Sequence, residues 1–339
     1  MKRIQERTGW NSTQQTAFAV GTLGFLYFGA KFWRSRIPTQ KSTTSKLNVL
    51  IIGASRGIGL SMARRFMNYG DNLIIASSSE TSIKSAYDTL KAECLSKSQT
   101  LAFKKCDVTK PSDLSDLYEF AFSSFNGRID AVINNFGVST PNRDYLWKTA
   151  ADEIERIVSV NLKGMLLSNK YSVAAFVEQT QSTPMHIFNM SGGGTYGMAT
   201  PRFLTYGATK GAFLNILKSL NKELKLAQLD NVYVHSLSPG MVWTNLLANK
   251  VHIDKQEPVI SDPKKGWIIN ALTEGAAVVT DWMVPKIRGV VTMKRPRHSF
   301  EINFLIKSNA IARMLGGAFF GYNKDRFVDK DGMAVQPTK

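Results

Sequence analysis

The 339-residue chain reads as an α/β protein built on a single doubly wound parallel sheet, and three observations carry that reading. Apolar runs rich in β-branched residues recur at 47–52, 72–76, 100–106, 130–134, 185–189 and 231–237. Longer stretches of helical pattern separate them, as parallel strands require, because each crossover must return the chain to the same end of the sheet. The first run leads directly into Gly53-Ala-Ser-Arg-Gly57-Ile-Gly59, and a helical pattern follows over Leu60–Tyr69. With 43 % hydrophobic and 10 % aromatic residues the chain can build a real core, which excludes wholesale disorder.

Ahead of the sheet, residues 11–30 carry no charge, and basic residues flank them: Lys2, Arg3 and Arg7 before, Lys31, Arg34 and Arg36 after. The apolar part proper, Ala17–Ala30, is short for a span of about 20 residues. It reads as a tilted transmembrane or interfacial helix, as a signal-peptide core, or as part of a transit peptide; Phe28 argues against signal cleavage after Ala30. Residues 1–46 are therefore expected to be an anchor or targeting segment with a linker, 47–285 the folded domain, and 286–339 a basic, amphipathic, helical extension. The net charge of +17 follows that division: +7 lies in 1–46, +7 in 286–326 and only +3 in 47–285. Charge gathered at the ends suits attachment to an anionic membrane surface and not to nucleic acid, whose binders spread it over the folded domain. Apolar side chains of the tail, among them Phe300, Phe304, Ile311 and Leu315, are expected to help it lie on the membrane. Cys94 and Cys106 give neither a disulfide framework nor a zinc site. His186, His235, His252 and His298 lack metal-ligand spacing and read as ordinary packed or surface histidines, so no metal is expected.

The glycine turn between a strand and a helix lets the backbone approach a pyrophosphate held on free N–H groups at the helix start. Its Gly-x-x-x-Gly-x-Gly spacing resembles the short-chain dehydrogenase/reductase family, and further stations of that family's pattern follow in order. They are Asp107 at the end of the third run, Asn134-Asn135-Phe136-Gly137, Asn161, Tyr206-Gly-Ala-Thr-Lys210 and Ser238-Pro239-Gly240…Thr244. The resemblance implies a Rossmann-like fold and a nicotinamide cofactor held by Gly53, Ser55, Arg56, Gly57, Ile58, Gly59, Ser78, Asp107, Val108, Asn135, Gly137, Pro239, Gly240 and Thr244, together with Tyr206 and Lys210. Physical reasoning supports the Tyr/Lys pair independently. Positions four apart share a helix face, so the ammonium of Lys210 is expected to lower the phenol's pKa from about 10 while reaching the ribose. Tyr206 is then the proton donor in carbonyl reduction, and Asn161 is expected to hold a water linking Lys210 to solvent.

The family's serine, thirteen residues before the tyrosine, is replaced by Gly193 within Ser191-Gly-Gly-Gly-Thr195. Either Ser191 or Thr195 could polarise the substrate carbonyl, and spacing does not decide between them. For the cofactor, Arg56 and the acid-free Ser77-Ser78-Ser79 favour NADPH, since a carboxylate at that strand end would repel a 2′-phosphate.

The stretch His186–Thr195, Thr200-Pro-Arg-Phe203, Met283-Val-Pro-Lys-Ile-Arg288 and Phe320–Val328 resemble the plastid chlorophyll b reductases, the non-yellow-coloring (stay-green) group. That resemblance implies NADPH-dependent reduction of the C7 formyl group of chlorophyll b to 7-hydroxymethyl chlorophyll a on the stromal face of the chloroplast thylakoid. It also places the group's hydroxyl on Thr195, with Ser191 second. Rival readings are a reductase of another lipophilic carbonyl (retinoid, steroid or acyl lipid), on the endoplasmic reticulum membrane for instance, and a non-catalytic NADP-binding scaffold. The sequence leaves a homo- or hetero-oligomer open.

Overall fold

The computed structural model describes residues 45–93, 98–140, 144–179, 184–244, 266–293, 299–305, 307–320, 326–328 and 335. The apolar stretch 17–30, Cys94, His252 and His298 lie outside the described residues.

All the expected strands form. β1 (Asn48–Ile52), β2 (Asn72–Ser77), β3 (Leu101–Lys105), β4 (Ala131–Asn134), β5 (Met185–Met190) and β6 (Val232–Ser238) alternate with helices. Those used below are α1 (Gly57–Asn68), α2 (Glu80–Glu93), α3 (Pro111–Ser124), α4 (Ala151–Val158), α5 (Gly164–Val177), α6 (Leu204–Gly211) and α7 (Phe213–Leu226). The strands are parallel in the order β3-β2-β1-β4-β5-β6, and Ile52 pairs with Ala76 on one side and Asn134 on the other. From β1 the chain works outward to β3, then crosses to β4 and works outward the other way. A crevice therefore opens beyond the carboxyl ends of β1 and β4, where such sheets hold ligands. Val49, Leu50, Ile51 and Ile52 are buried, as are Leu73, Ile74 and Ile75, because helices cover both faces of a parallel sheet.

The C-terminal part departs from expectation. After β7 (Met241–Trp243) come α8 (Gly266–Leu272), β8 (Thr273–Gly275), which pairs with β7, and α9 (Ala276–Val291). Helix α9 runs through the expected boundary after Pro285, and the buried Arg288 near its end pairs with the buried Asp71 and lies over the Tyr69 ring. Residues Glu301–Asn303 form β9, a seventh parallel strand hydrogen-bonded to β6. Ile302 and Phe304 are core residues, and the Phe300 N–H donates to His235 Nδ1 at 2.9 Å. Phe300 and Phe304, expected on a membrane, therefore belong to the edge of the sheet, since a parallel edge strand needs its apolar side chains covered.

Two compact units result. Residues 39–257 and 273–304 form the one that carries the sheet and every candidate site residue. In the other, α8 packs with α10 (Lys307–Phe320), and the Asn270 side chain accepts from the N–H groups of Phe327 and Val328 while donating to the Val328 carbonyl. Among the described residues no helix is long and apolar enough to cross a membrane. His186 and His235 are buried on neighbouring strands and joined Nδ1 to Nε2 at 2.9 Å; burial pushes His186 down to about 3, so it stays neutral inside the sheet.

Candidate active site

The glycine turn is shaped by two close approaches. Gly53 has φ +88°, and a Cβ there would fall 2.6 Å from the Phe136 nitrogen, so the loop after β4 rests directly on it. A Cβ on Gly59 would meet the Gly53 oxygen at 2.2 Å, so α1 sits as near β1 as a backbone allows. The Asn135 amide donates to the Gly53 carbonyl at 2.7 Å and ties the two loops together. Helix α1 starts with neither a side-chain cap nor an acidic residue in its first turn, which leaves the N–H groups of Gly57, Ile58 and Gly59 to an anion. Gly57 lies against Thr244, whose methyl carbon would be 3.4 Å from an added Cβ. The Pro239-Gly240…Thr244 segment thus closes back on the turn, and Gly240 makes the bend at φ +72°.

Around this cradle Arg56 is exposed, and Ser55 accepts from the Ser77 hydroxyl at 3.2 Å. Ser78 is exposed at the end of β2, whereas Ser79 caps α2 by accepting from the Ser82 N–H. One oxygen of Asp107 accepts from the N–H and hydroxyl of Thr109, and Val108 is buried so tightly that a Cβ on Gly164 would lie 2.7 Å from it.

Helix α6 puts Tyr206 and Lys210 on one face, both buried. The Lys210 ammonium lies 5.8 Å from the Tyr206 ring centroid and donates to the Met190 carbonyl at the end of β5, at 2.9 Å. Burial pushes Lys210 down to about 8 and Tyr206 up to about 12. The expected lowering of the phenol pKa is absent from the free protein, because burial strips the phenolate of its solvation. Tyr206 accordingly keeps its proton at neutral pH, the state a proton donor needs.

Asn161 lies in a single π turn, Ser159–Lys163, between α4 and α5; such turns often mark functional sites. Its amide exchanges two 2.8 Å hydrogen bonds with the Val138 backbone and donates to Thr209 Oγ1 at 3.3 Å. Both amide protons are thus taken by the protein, and the side chain clamps the loop after β4 to α6. Gly137 keeps that loop thin: a Cβ there would come within 3.5 Å of Asn161 and 3.9 Å of the Lys210 ammonium.

Each glycine between the two candidate hydroxyls has its own surroundings. A Cβ on Gly192 would strike the Tyr206 phenol oxygen at 2.3 Å, and Gly194 (φ +99°) lies against the Gly207 backbone. Gly193, where the family has serine, is exposed and an added Cβ would meet nothing within 4 Å. Thr195 is buried, and its Oγ1 accepts from the Gly192 N–H at 3.1 Å, which leaves its own proton for another acceptor. Ser191 is also buried, and its hydroxyl has no hydrogen-bond partner among the described residues. Sequence reasoning missed the Met190 carbonyl, Gly192 against the phenol, and Phe203, whose ring stacks on Tyr206 at 4.4 Å. The aromatic residue three before the tyrosine was the one available signal.

The short chain dehydrogenase family pattern matches residues 47–255. Chlorophyll(ide) b reductase NOL, chloroplastic, of Arabidopsis thaliana is 34 % identical over 86 % of this chain and 79 % of its own length. Its Oryza sativa counterpart is also 34 % identical, over 84 % and 78 %. Among solved structures, a 3-ketoacyl-(acyl-carrier-protein) reductase from Brucella melitensis complexed with NADH superposes with a TM-score of 0.60 at 22 % identity, covering 77 % of this chain and 96 % of that one. An alcohol dehydrogenase from Thermococcus sibiricus complexed with 5-hydroxy-NADP gives 0.59 at 19 %, covering 76 % and 96 %. At these identities the superpositions establish the fold.

Proposed function

The chain belongs to the short-chain dehydrogenase/reductase family, and on that premise we propose that it reduces the C7 formyl group of chlorophyll b with NADPH. It is a nicotinamide-dependent oxidoreductase of the chlorophyll b reductase type. The observation that carries the reaction is the buried Tyr206, whose phenol oxygen faces Gly192 of the 191–195 loop with the Lys210 side chain beside it. The choice of substrate rests on the two plastid relatives, similar over more than four fifths of this chain.

The residues fit a dinucleotide: the uncapped start of α1 and the glycine cradle leave room and N–H groups for a pyrophosphate. When bound, the cofactor supplies hydride. Asp107 and Val108 would border the adenine, Lys210 would reach the nicotinamide ribose, and Pro239, Gly240 and Thr244 would close over the nicotinamide. The Tyr206 hydroxyl delivers its proton to the carbonyl oxygen, and Lys210 beside it stabilises the phenolate left behind. Thr195 polarises the carbonyl, since its oxygen is held by Gly192 while its proton remains to donate. Thr195→Ala is then expected to lower kcat by about a hundredfold and Ser191→Ala by less; steady-state rates of the two variants check the order, and the reverse order moves the role to Ser191.

NADPH is favoured because the exposed Arg56 can pair with a 2′-phosphate and no carboxylate stands at Ser77–Ser79. Arg56→Ala should shrink the ratio of kcat/KM for NADPH over NADH by about tenfold. Equal use of both cofactors by the unaltered protein would contradict the assignment. Incubation with NADPH and a panel of chlorophyll b, retinal and a steroid ketone tests the substrate. Turnover of the pigment alone supports the reading, turnover of the others alone favours the rival lipophilic carbonyls, and no hydride transfer at all favours a scaffold.

Both plastid relatives are chloroplastic, and the charge at the two ends, less the buried Lys286 and Arg288, suits an anionic surface, so the proposed location is the stromal face of the thylakoid. Protein lacking residues 1–46 should still sediment with anionic liposomes and be released by high salt. Indifference to the liposomes would remove the tail from the membrane contact.

A further inference from the structure

An aromatic stack linked to Tyr206 through Arg202 and Phe203 has no part in the chemistry above. Tyr145 and Trp147, on a short turn before α4, lie parallel, with ring centroids 4.6 Å apart and an angle of 8°. The Arg202 guanidinium lies over the same Tyr145 ring, 4.9 Å from its centroid. Trp147 itself is 77 % exposed, so its indole is open to solvent. Arg202 holds its place at φ +61°, a left-handed backbone that side chains other than glycine rarely adopt. Such strain persists where the surroundings impose it and gathers at functional sites. The next residue, Phe203, stacks on Tyr206, so the stack joins the catalytic phenol through one peptide unit, and α4 packs on α6. Tyr196, Met198 and Leu204, in the segment around Arg202, are also exposed.

We propose that Trp147, Tyr145 and Arg202 form a stacking rim that receives the ring plane of a flat, conjugated carbonyl substrate and so sets specificity. The proposal names the substrate class of the site assigned above and rests on that reading. Parallel aromatic faces attract a planar π-system by dispersion and quadrupole interaction, and a guanidinium over one of the rings strengthens the stack. A small or puckered carbonyl would reach Tyr206 without using this face, so the rim would act on KM for planar substrates and not on the hydride step.

The test compares Trp147→Ala, Trp147→Phe and Arg202→Gly with the unaltered full-length protein. Chlorophyll b and cyclohexanecarboxaldehyde serve as substrates, and protoporphyrin IX, a flat macrocycle without a formyl group, is the binding probe. Trp147→Ala should raise KM for chlorophyll b and Kd for protoporphyrin IX by about tenfold, with kcat and the small aldehyde unaffected and Trp147→Phe restoring most of the loss. Arg202→Gly relieves the strained φ, so it should weaken porphyrin binding without lowering Tm. Equal losses on both aldehydes, unchanged porphyrin affinity in the variants, or no porphyrin binding by the unaltered protein would overturn the rim. Porphyrin binding that depends on Trp147 without any reduction of chlorophyll b would leave the rim standing and reject the pigment reading.

Discussion

Tyr206→Phe is expected to lower kcat for carbonyl reduction by about a thousandfold or more while the Kd for NADPH, read by quenching of protein fluorescence, changes little. The variant removes one oxygen. That oxygen faces Gly192 and makes no hydrogen bond among the described residues, and the ring keeps its stack on Phe203. The glycine cradle and the free N–H groups of α1 are untouched, so cofactor affinity should survive. Retention of most of the activity would remove Tyr206 from its role.

Gly192→Ala should cost about a hundredfold in kcat/KM, because its new carbon would fall 2.3 Å from the Tyr206 phenol oxygen and 3.3 Å from Lys210 Cε. One or both of these side chains must move. Gly193→Ala, one position on, adds a carbon that meets nothing within 4 Å and should leave the rate within about twofold. Steady-state rates of the pair, with Tm as a control for folding, separate a catalytic contact from a general need for glycine in this loop. Equal behaviour of the two variants would contradict the geometry.

These two glycines show where the sequence stops being legible. Three glycines in a row announce a close approach, but only coordinates say that Gly192 yields to a phenol, Gly194 to a backbone, and Gly193 to nothing. The central strands β1 and β2 were readable because parallel strands buried on both faces must be almost continuously apolar, as Val49–Ile52 and Leu73–Ala76 are. The seventh, Glu301-Ile-Asn303, escapes that rule. It is three residues long, pairs on one side only, and offers a single buried side chain, Ile302, within a basic stretch that reads as tail. Helix α9 hides for a related reason, since Lys286 and Arg288 look like surface charge and are buried.

The site motifs were legible as a set, and the structure gathers the glycine turn, Asn135, Gly137, Asn161, Tyr206, Lys210 and Thr244 at the carboxyl ends of β1, β4 and β5. Their electrostatics were not. Spacing on a helix places an ammonium near a phenol, but the direction of the phenol's shift depends on how much solvent the fold removes, which no spacing encodes. The choice between Ser191 and Thr195 also turns on a contact the sequence does not contain, the Gly192 N–H that occupies Thr195 Oγ1.

The central claim, hydride delivery to a formyl carbon under the control of Tyr206, is tested most directly by isotope transfer. The protein would be incubated with chlorophyll b and NADPH carrying deuterium at the transferring position of its nicotinamide, and the pigment analysed by mass spectrometry. The account predicts 7-hydroxymethyl chlorophyll a with one deuterium on the new carbinol carbon, formed by the unaltered protein and not by Tyr206→Phe. Unlabelled product, equal labelling by the Phe variant, or chlorophyll b recovered unchanged would contradict it.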